Sequence, residues 1–293
     1  MNKIPLVSVI CLSYNHEKYI QQALQSIIAQ TYTNFEIIYI DNNSSDQSFE
    51  IGNDLLKKSN INFISKKFDS NLGIPKVLNY VINNLIKGDY ICLMAMDDWL
   101  EKDNITEKIN YFKTNPKLGI VYSYGNYYYD DLNKTEQIPI TYFKEGMVFD
   151  ELLKRNFVYA MGTIIKKEVY DKVGLYNEDN SIEDWEFSLR VAQHYPFGLV
   201  KTPLFNYRRH STNYSNGSKT YFLDCFKILA PYKKYHNYKI GYQWINGLYT
   251  DFILTNKPTA SSFLYLLRHL KYNKVYIKQI IVYFYKLSFT QTK

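Results

Sequence analysis

Short apolar runs alternate with helical stripes along the first hundred positions of the chain. Residues 7–12 read as a strand buried on both faces, and Tyr19, Ile20, Ala23, Leu24, Ile27 and Ile28 then recur at the three-and-four spacing of a helix. The unit repeats. Residues 35–40 predict a second strand, followed by the polar turn Asp41-Asn42-Asn43-Ser44-Ser45-Asp46 and a helix through Leu55 and Leu56 that Ser or Asp can cap. Residues 62–65 predict a short third strand. Val77, Leu78, Val81, Ile82 and Leu85 predict a helix leading into a fourth strand at 89–94. Strands alternating with helices imply an α/β fold, with a mainly parallel, Rossmann-like sheet flanked by helices and right-handed crossovers.

Downstream the pattern loosens. Residues 119–124 predict a strand, Lys134-Thr135-Glu136 a turn within a Tyr-rich hairpin, and 149–153 a helix. A strand at 158–166, a helix at 167–173, a helix at 184–194 carrying Trp185, Leu189 and Val191, and a last strand at 198–201 follow. The Ser- and Asn-rich stretch 208–219 marks a boundary. Two domains are therefore expected, an α/β domain over 1–215 and a helical C-terminal region over 216–293. In the latter, Phe263, Leu264, Leu267, Leu270, Ile277, Ile280, Ile281 and Phe284 supply the apolar faces.

A chain of 293 residues with 46% apolar content can bury a substantial core. Cys11, Cys92 and Cys225 lie far apart and show no metal-ligand spacing, which fits a reducing cytoplasm rather than a disulfide or zinc framework. Residues 3–12 run on without a small-residue cleavage site, so they are read as a first strand rather than a signal core. No stretch is long and charge-free enough to cross a bilayer. The net charge of +7 is concentrated in the tail, because no Asp or Glu follows Asp251 while seven Lys and Arg residues do. This basic, aromatic tail has two readings of equal standing: an anionic membrane surface, such as the inner face of the cell membrane, as a peripheral partner, or a helical subdomain that packs on the core or mediates oligomerisation. No nucleic-acid module is recognised. The 30 tyrosines are consistent with AT-rich coding and carry little weight as a carbohydrate signal.

The chemistry concentrates at strand ends. Met96-Asp97-Asp98-Trp99 follows the apolar fourth strand, and carboxylates at the carboxyl edge of a parallel sheet suit Mg²⁺ or Mn²⁺ carrying a phosphate. The same pair would also serve as an acidic turn capping the next helix. Neither G-x-G-x-x-G after the first strand nor a P-loop is present, which disfavours dinucleotide and P-loop enzymes. Instead four successive strand ends carry Ser13-Tyr14-Asn15, Asp41-Asn42, Asn71-Leu72-Gly73 and Asp97-Asp98.

Over roughly residues 5–215, these motifs resemble the inverting family 2 glycosyltransferases of the GT-A fold. Val7 to Asn15 with Ile28-Ala29-Gln30-Thr31-Tyr32 looks like the family's opening strand and helix, and Ile38 to Asp46 like its second strand and acidic turn. Asn71-Leu72-Gly73 matches the next landmark. Glu183-Asp184-Trp185-Glu186 resembles the acidic pair opening its catalytic helix, and Tyr207-Arg208-Arg209-His210 with Asn213 and Ser215 resembles its closing motif.

The resemblance implies a nucleotide-sugar donor, expected to be UDP-linked, and a glycan or lipid-linked glycan acceptor in surface polysaccharide synthesis. Ser13, Tyr14, Asn15, Asp41, Asn42, Asn71, Lys76 and Met96 are expected on the nucleotide side, with Tyr14 stacking on the base. Asp97, Asp98 and His210 are expected around a divalent Mn²⁺ or Mg²⁺. Asp184 is expected as general base, with Glu183 orienting the acceptor or sharing that role. One departure matters: the usual acidic residue two positions before Asp97 is Ala95. It motivates an alternative, a catalytically weak sugar-nucleotide binding protein of the same fold.

Overall fold

A computed structural model describes residues 4–211, 213, 217–255, 260–269 and 281. Contacts divide the chain into two units, one of Met1–Leu152 with Asn156–Ser211, the other of Leu153–Arg155 with Thr212–Lys293.

The first unit opens with β1 (Val7–Ser13), α1 (Ile20–Ile28), β2 (Phe35–Asp41), α2 (Ser48–Lys57), β3 (Phe63–Lys67), α3 (Ile74–Asn84) and β4 (Tyr90–Ala95). All seven residues of β2 are buried, as an apolar strand covered by helices on both faces must be. β3 is half-exposed and Lys-bearing, the usual protection of a sheet edge. α1 buries the stripe Ile20, Ala23, Leu24 and Ile27. α3 begins after Gly73 at φ +80° and has Pro75 in its first turn, where a missing N–H costs nothing.

The sheet order is β3-β2-β1-β4 through these parallel strands. Register sets Ser13 beside Asp41, Asp41 beside Lys67, and Leu12 beside Ala95. Strand order reverses between β1 and β4, the place where an open α/β sheet leaves a crevice for ligand.

The rest of this unit extends the sheet with antiparallel partners. β5 (Trp99–Leu100), α4 (Asn104–Thr114), β6 (Ile120–Tyr129), β7 (Lys134–Gln137), α5 (Phe149–Lys154, its last two residues counted with the second unit), β8 (Ile164–Lys166), α6 (Lys167–Val173), α7 (Glu183–Ala192) and β9 (Phe197–Arg209) follow in order. β8 pairs antiparallel with β4 and β6, whereas β6 and β9 run parallel. The α/β architecture with a mainly parallel sheet flanked by helices is as expected.

Three local expectations are corrected. Lys134, Thr135 and Glu136 lie in β7, and the turn falls earlier, where Asn133 takes φ +46°. The strand expected at 158–166 is reduced to Ile164–Lys166, because Gly162 at φ +66° turns the chain and donates its N–H to the Leu93 carbonyl. The last strand does not stop at 201 but runs through Arg209, so Arg208 belongs to the sheet rather than to a polar connection. Gly125 permits this long β6/β9 pairing: a Cβ there would sit 2.2 Å from the Phe205 ring.

The second unit contains α8 (Lys219–Leu229), a single 3-10 turn at Ala230–Tyr232, α9 (Tyr238–Thr255) and α10 (Ala260–Arg268). Ser218 caps α8 by accepting the Tyr221 N–H. α8 and α9 bury Phe222, Cys225, Ile228, Ile245, Tyr249 and Ile253. The apolar positions Leu270, Ile277, Ile280 and Phe284, and the motif residue Ser215, lie outside the described residues. Among the described residues no helix is long and apolar enough to cross a membrane.

Candidate active site

The strand-end motifs meet along the carboxyl edge of β1–β4. Asn15 sits just past β1 at φ +57°, a conformation Asn adopts more readily than most residues. Its N–H donates to Ser44 Oγ at 2.9 Å, and its Oδ1 accepts the Ser45 N–H. Ser44 Oγ in turn donates to Asp41 Oδ2 at 2.6 Å. This chain of bonds ties the end of β1 to the end of β2 and leaves Tyr14 between them 44% exposed. Ser13 and Asp41 are themselves fully buried, so Asp41 shapes the turn that holds Asn15.

Asn42 extends the same edge. Its Nδ2 donates to Asn71 Oδ1 and its Oδ1 accepts the Leu72 N–H, which fixes the connection entering α3. Lys76 is exposed on the first turn of α3. Met96 is fully buried and belongs to the core.

Asp97 follows β4, the parallel neighbour of the β1 strand that Tyr14 follows. Its Oδ2 is 3.2 Å from His210 Nε2 at the end of β9 and 3.9 Å from His16 Nε2 just beyond β1. Burial alone would raise the Asp97 carboxyl, but the His210 hydrogen bond and the nearby His16 imidazole outweigh it and hold Asp97 below the usual carboxylate range. Burial keeps His16 below its ordinary value despite the opposing pull of Asp97. His16 Nδ1 is buried with no hydrogen-bond partner among the described residues. His210 stacks on Tyr19, ring centroids 5.2 Å apart.

Among the described residues no group of three or more His, Cys, Asp or Glu side chains is arranged to hold a metal unaided. The chemistry of the closest donors nonetheless fits a divalent cation. One carboxylate oxygen and one imidazole nitrogen already face each other, and hard oxygen with borderline nitrogen suits Mn²⁺ or Mg²⁺ that takes its other ligands from phosphate and water.

Asp98 behaves differently from its neighbour. It is buried and its Oδ1 accepts the Arg208 backbone N–H at 2.8 Å. Arg208 Nε donates to the Asp97 carbonyl, Nη1 to Asp130 and Nη2 to Gln22, while the guanidinium lies over the rings of Tyr19, Trp99 and Tyr128. Arg208 thereby holds the Asp97-Asp98 turn against β9.

The second acidic pair opens α7. Burial and then the Asp184 charge push Glu183 up to about 8. Burial pushes Asp184 up to about 6, against the opposing pull of the Trp185 N–H and of Asn156. Asp184 Oδ1 accepts the Trp185 N–H at 2.6 Å and Oδ2 accepts Asn156 Nδ2 at 3.3 Å. A cavity of about 20 Å³, enough for a water molecule, lies between Asp184 and Leu93 of β4, with Val158, Ala160 and Thr163 along its wall.

The motifs do not reveal His16, Arg208's multiple bonds, Asp130 or Asn156 as site residues. His16 alone had a visible signal, its place directly after Ser13-Tyr14-Asn15. The others depend on partners 78 or more positions away for Arg208 and 28 for Asn156.

Comparison with known proteins identifies the family and the fold. Residues 8–174 match the family model described as Glycosyl transferase family 2. One uncharacterised glycosyltransferase of Haemophilus influenzae is 29% identical over 165 residues, covering 56% of this chain and 64% of that one, just under two thirds of its length. A second from the same organism is 28% identical over 327 aligned positions, covering 96% and 98%. Among solved structures, residues 1–349 of S. aureus TarS in complex with UDP-GlcNAc superpose with a TM-score of 0.63 at 15% identity, over 91% of this chain and 72% of that one. The mannosyltransferase PcManGT of Pyrobaculum calidifontis, in complex with GDP-Man and Mn²⁺, gives 0.64 at 13% identity, over 98% and 86%. The fold is that of these GT-A proteins.

Proposed function

We propose, from the premise that this chain belongs to glycosyl transferase family 2, that it moves a sugar from a UDP-linked donor onto a hydroxyl of a glycan or lipid-linked glycan, with inversion at the anomeric carbon. Glycosyl transfer is the family's reaction. The observation that carries the more specific reading is the Asp97–His210 pair, 3.2 Å apart at the switch point between β1 and β4. The nucleotide-sugars and Mn²⁺ held by the solved relatives support a donor and a divalent cation of the same kinds here.

Exposed Tyr14 offers a ring for the nucleotide base, and Lys76 a cation for the diphosphate. Asp97 and His210 would hold Mn²⁺ or Mg²⁺, with Asp98 and Arg208 keeping Asp97 in position. When bound, that ion supplies positive charge against the departing diphosphate. On the other side, Asp184 accepts the acceptor hydroxyl's proton as the oxygen bonds to the anomeric carbon. The bond from that carbon to the diphosphate oxygen breaks, and its electron pair leaves with the diphosphate. Glu183 keeps its proton at neutral pH, so no second negative charge stands beside the base. Surface polysaccharide synthesis in the cytoplasm, at the inner face of the membrane, is the setting such an acceptor implies.

A thermal-shift series of UDP and GDP with and without Mn²⁺ tests this reading. Stabilisation by a nucleotide that requires the metal is expected, and no response to either would overturn it. Ala95 favours a second reading, a sugar-nucleotide binding protein with weak catalysis. Metal-dependent binding without turnover across a range of acceptors would favour that alternative.

A further inference from the structure

The second unit carries a recess that takes no part in the chemistry at the strand ends. α8 buries Phe222, Cys225, Ile228 and Leu229, so its other face, where Leu223, Phe226 and Ala230 recur at three-and-four spacing, looks outward. Leu223 on that face is 44% exposed. Pro231 ends the helix in the 3-10 turn, and the connection at 233–237 leads the chain back into α9. Phe226 of α8, Lys233 of the connection, and Tyr238, Lys239, Tyr242 and Gln243 of α9 line a recess of about 480 Å³, all within this unit. The Tyr242 ring lies 5.1 Å from Phe226 and 5.8 Å from Tyr238, so the rings of the lining brace one another.

The charge around this recess is unbalanced. Residues 212–293 hold twelve Lys and Arg against two acidic side chains, Asp224 and Asp251. Asp224 is buried and accepts a hydrogen bond from Lys227 at 2.8 Å. Asp251 stands twelve residues beyond Lys239 on α9, about 18 Å along the helix. Lys233 and Lys239 are both exposed, and neither has an ion-pair partner among the described residues. Two unpaired ammonium groups beside a ring-lined recess suit a phosphate that carries apolar groups. The neighbouring side chains decide its source. Leu223 lies one turn before Phe226 on α8, and Ile240, 46% exposed, one turn before Gln243 on α9. A free phosphate ester or a nucleic-acid strand would leave both in water, whereas a bilayer interface covers them while lysine side chains reach the head groups. We propose that this recess seats the phosphate of an anionic phospholipid, with Lys233 and Lys239 on its oxygens and Leu223 and Ile240 at the acyl boundary, and so docks the protein on an anionic membrane surface. The docking is independent of the glycosyl-transfer reading.

Flotation of the full chain with vesicles tests it, comparing phosphatidylcholine alone with phosphatidylcholine and phosphatidylglycerol at about three to one. Salt is held at about 0.1 M, which screens charges more than roughly 10 Å from the surface. The wild-type protein is expected to float with the anionic vesicles and not with the neutral ones. Lys233→Gln together with Lys239→Gln should weaken partitioning roughly thirtyfold, the usual worth of two basic residues at an anionic surface. Leu223→Ser should weaken it roughly three- to tenfold, as leucine is lost from the interface. Lys57→Gln together with Lys58→Gln removes the same charge from exposed positions at the end of α2 and should stay within about twofold of wild type. All four proteins should share one melting midpoint, since the replaced side chains are exposed. Glycerol phosphate, a soluble form of the same group, and an oligouridine strand should each fail to displace the protein from the vesicles. A wild-type protein that floats with neither vesicle or equally with both overturns the site, as does a Lys233/Lys239 or Leu223 variant that binds like wild type. So does an equal loss in the Lys57/Lys58 control. Displacement by glycerol phosphate or by oligouridine reassigns the recess to a free phosphate or to nucleic acid and equally defeats the lipid assignment.

Discussion

Asp97–Asp98 and Glu183–Asp184 are both adjacent carboxylates set beside buried apolar structure, and the fold gives them opposite electrostatics. Burial raises all four. At the first pair, the imidazoles of His210 and His16 bring Asp97 back below its ordinary value, whereas Asp98, next to the Asp97 charge, stays well above, only partly relieved by Arg208. At the second pair the hydrogen-bonding neighbours are amides, Asn156 and the Trp185 N–H, and both carboxyls remain raised, Glu183 to about 8 and Asp184 to about 6. The kind of partner, rather than the depth of burial, separates a carboxylate held below its ordinary value from one raised toward neutral pH, as the proposed metal-holding and base roles require.

Replacing Asp184, the proposed base, tests the larger half of this difference. Asp184→Asn is expected to cut turnover by about 10²- to 10⁴-fold, the usual contribution of a general base, while nucleotide stabilisation stays intact. Release of nucleoside diphosphate measures it, and an active Asp184→Asn protein would remove the functional distinction between the pairs.

Arg208→Met challenges the support of the first pair. It removes the guanidinium from Asp98, the Asp97 carbonyl and Gln22 and leaves Asp130 with Lys18 alone, and should lower the urea midpoint. An unchanged midpoint would show that the Asp97-Asp98 turn holds itself.

Asp97→Asn should abolish the metal-dependent part of nucleotide stabilisation, about 2.7 kcal/mol when wild type is measured at a hundredfold excess over Kd. EDTA treatment of the wild-type protein should give the same melting curve. A variant that still responds to Mn²⁺ would move the cation elsewhere.

The finest test is pH. Below about 6 protonated Asp184 cannot accept a proton, so kcat/KM should fall with decreasing pH; above about 8 Glu183 ionises beside this proposed base, and activity should fall again. These limbs belong to the coupled pair. Glu183→Gln should remove the upper limb and leave the lower one, and a profile flat from 5 to 9 would deny the second pair its role.

Legibility in the sequence followed the range of the contacts. β1, β2 and β4 were readable because each is a continuous apolar run that a parallel sheet buries on both faces, and the polar residues ending each run marked the ligand edge. The segment before β8 was misread as strand for a related reason. Residues 157 and 158 are apolar and buried, but Gly162 turns the chain, and an apolar pattern does not distinguish a buried irregular segment from a buried strand. β9 was read short because its outer half is polar, and its pairing with β6 and β5 is set by residues about 80 and 100 positions away.

Hydrophobic period and the order of motifs along the chain therefore determined the α/β layers, the sheet edge that carries the chemistry, and the family resemblance. These are local properties: burial of a strand or a helical stripe is written into consecutive residues. Tertiary structure alone decided that His16 and His210 flank Asp97, that Asp98 answers to Arg208, and that Asn156 meets Asp184. A side chain's charge state and partners depend on what long-range folding brings within hydrogen-bond distance, and no local pattern encodes that.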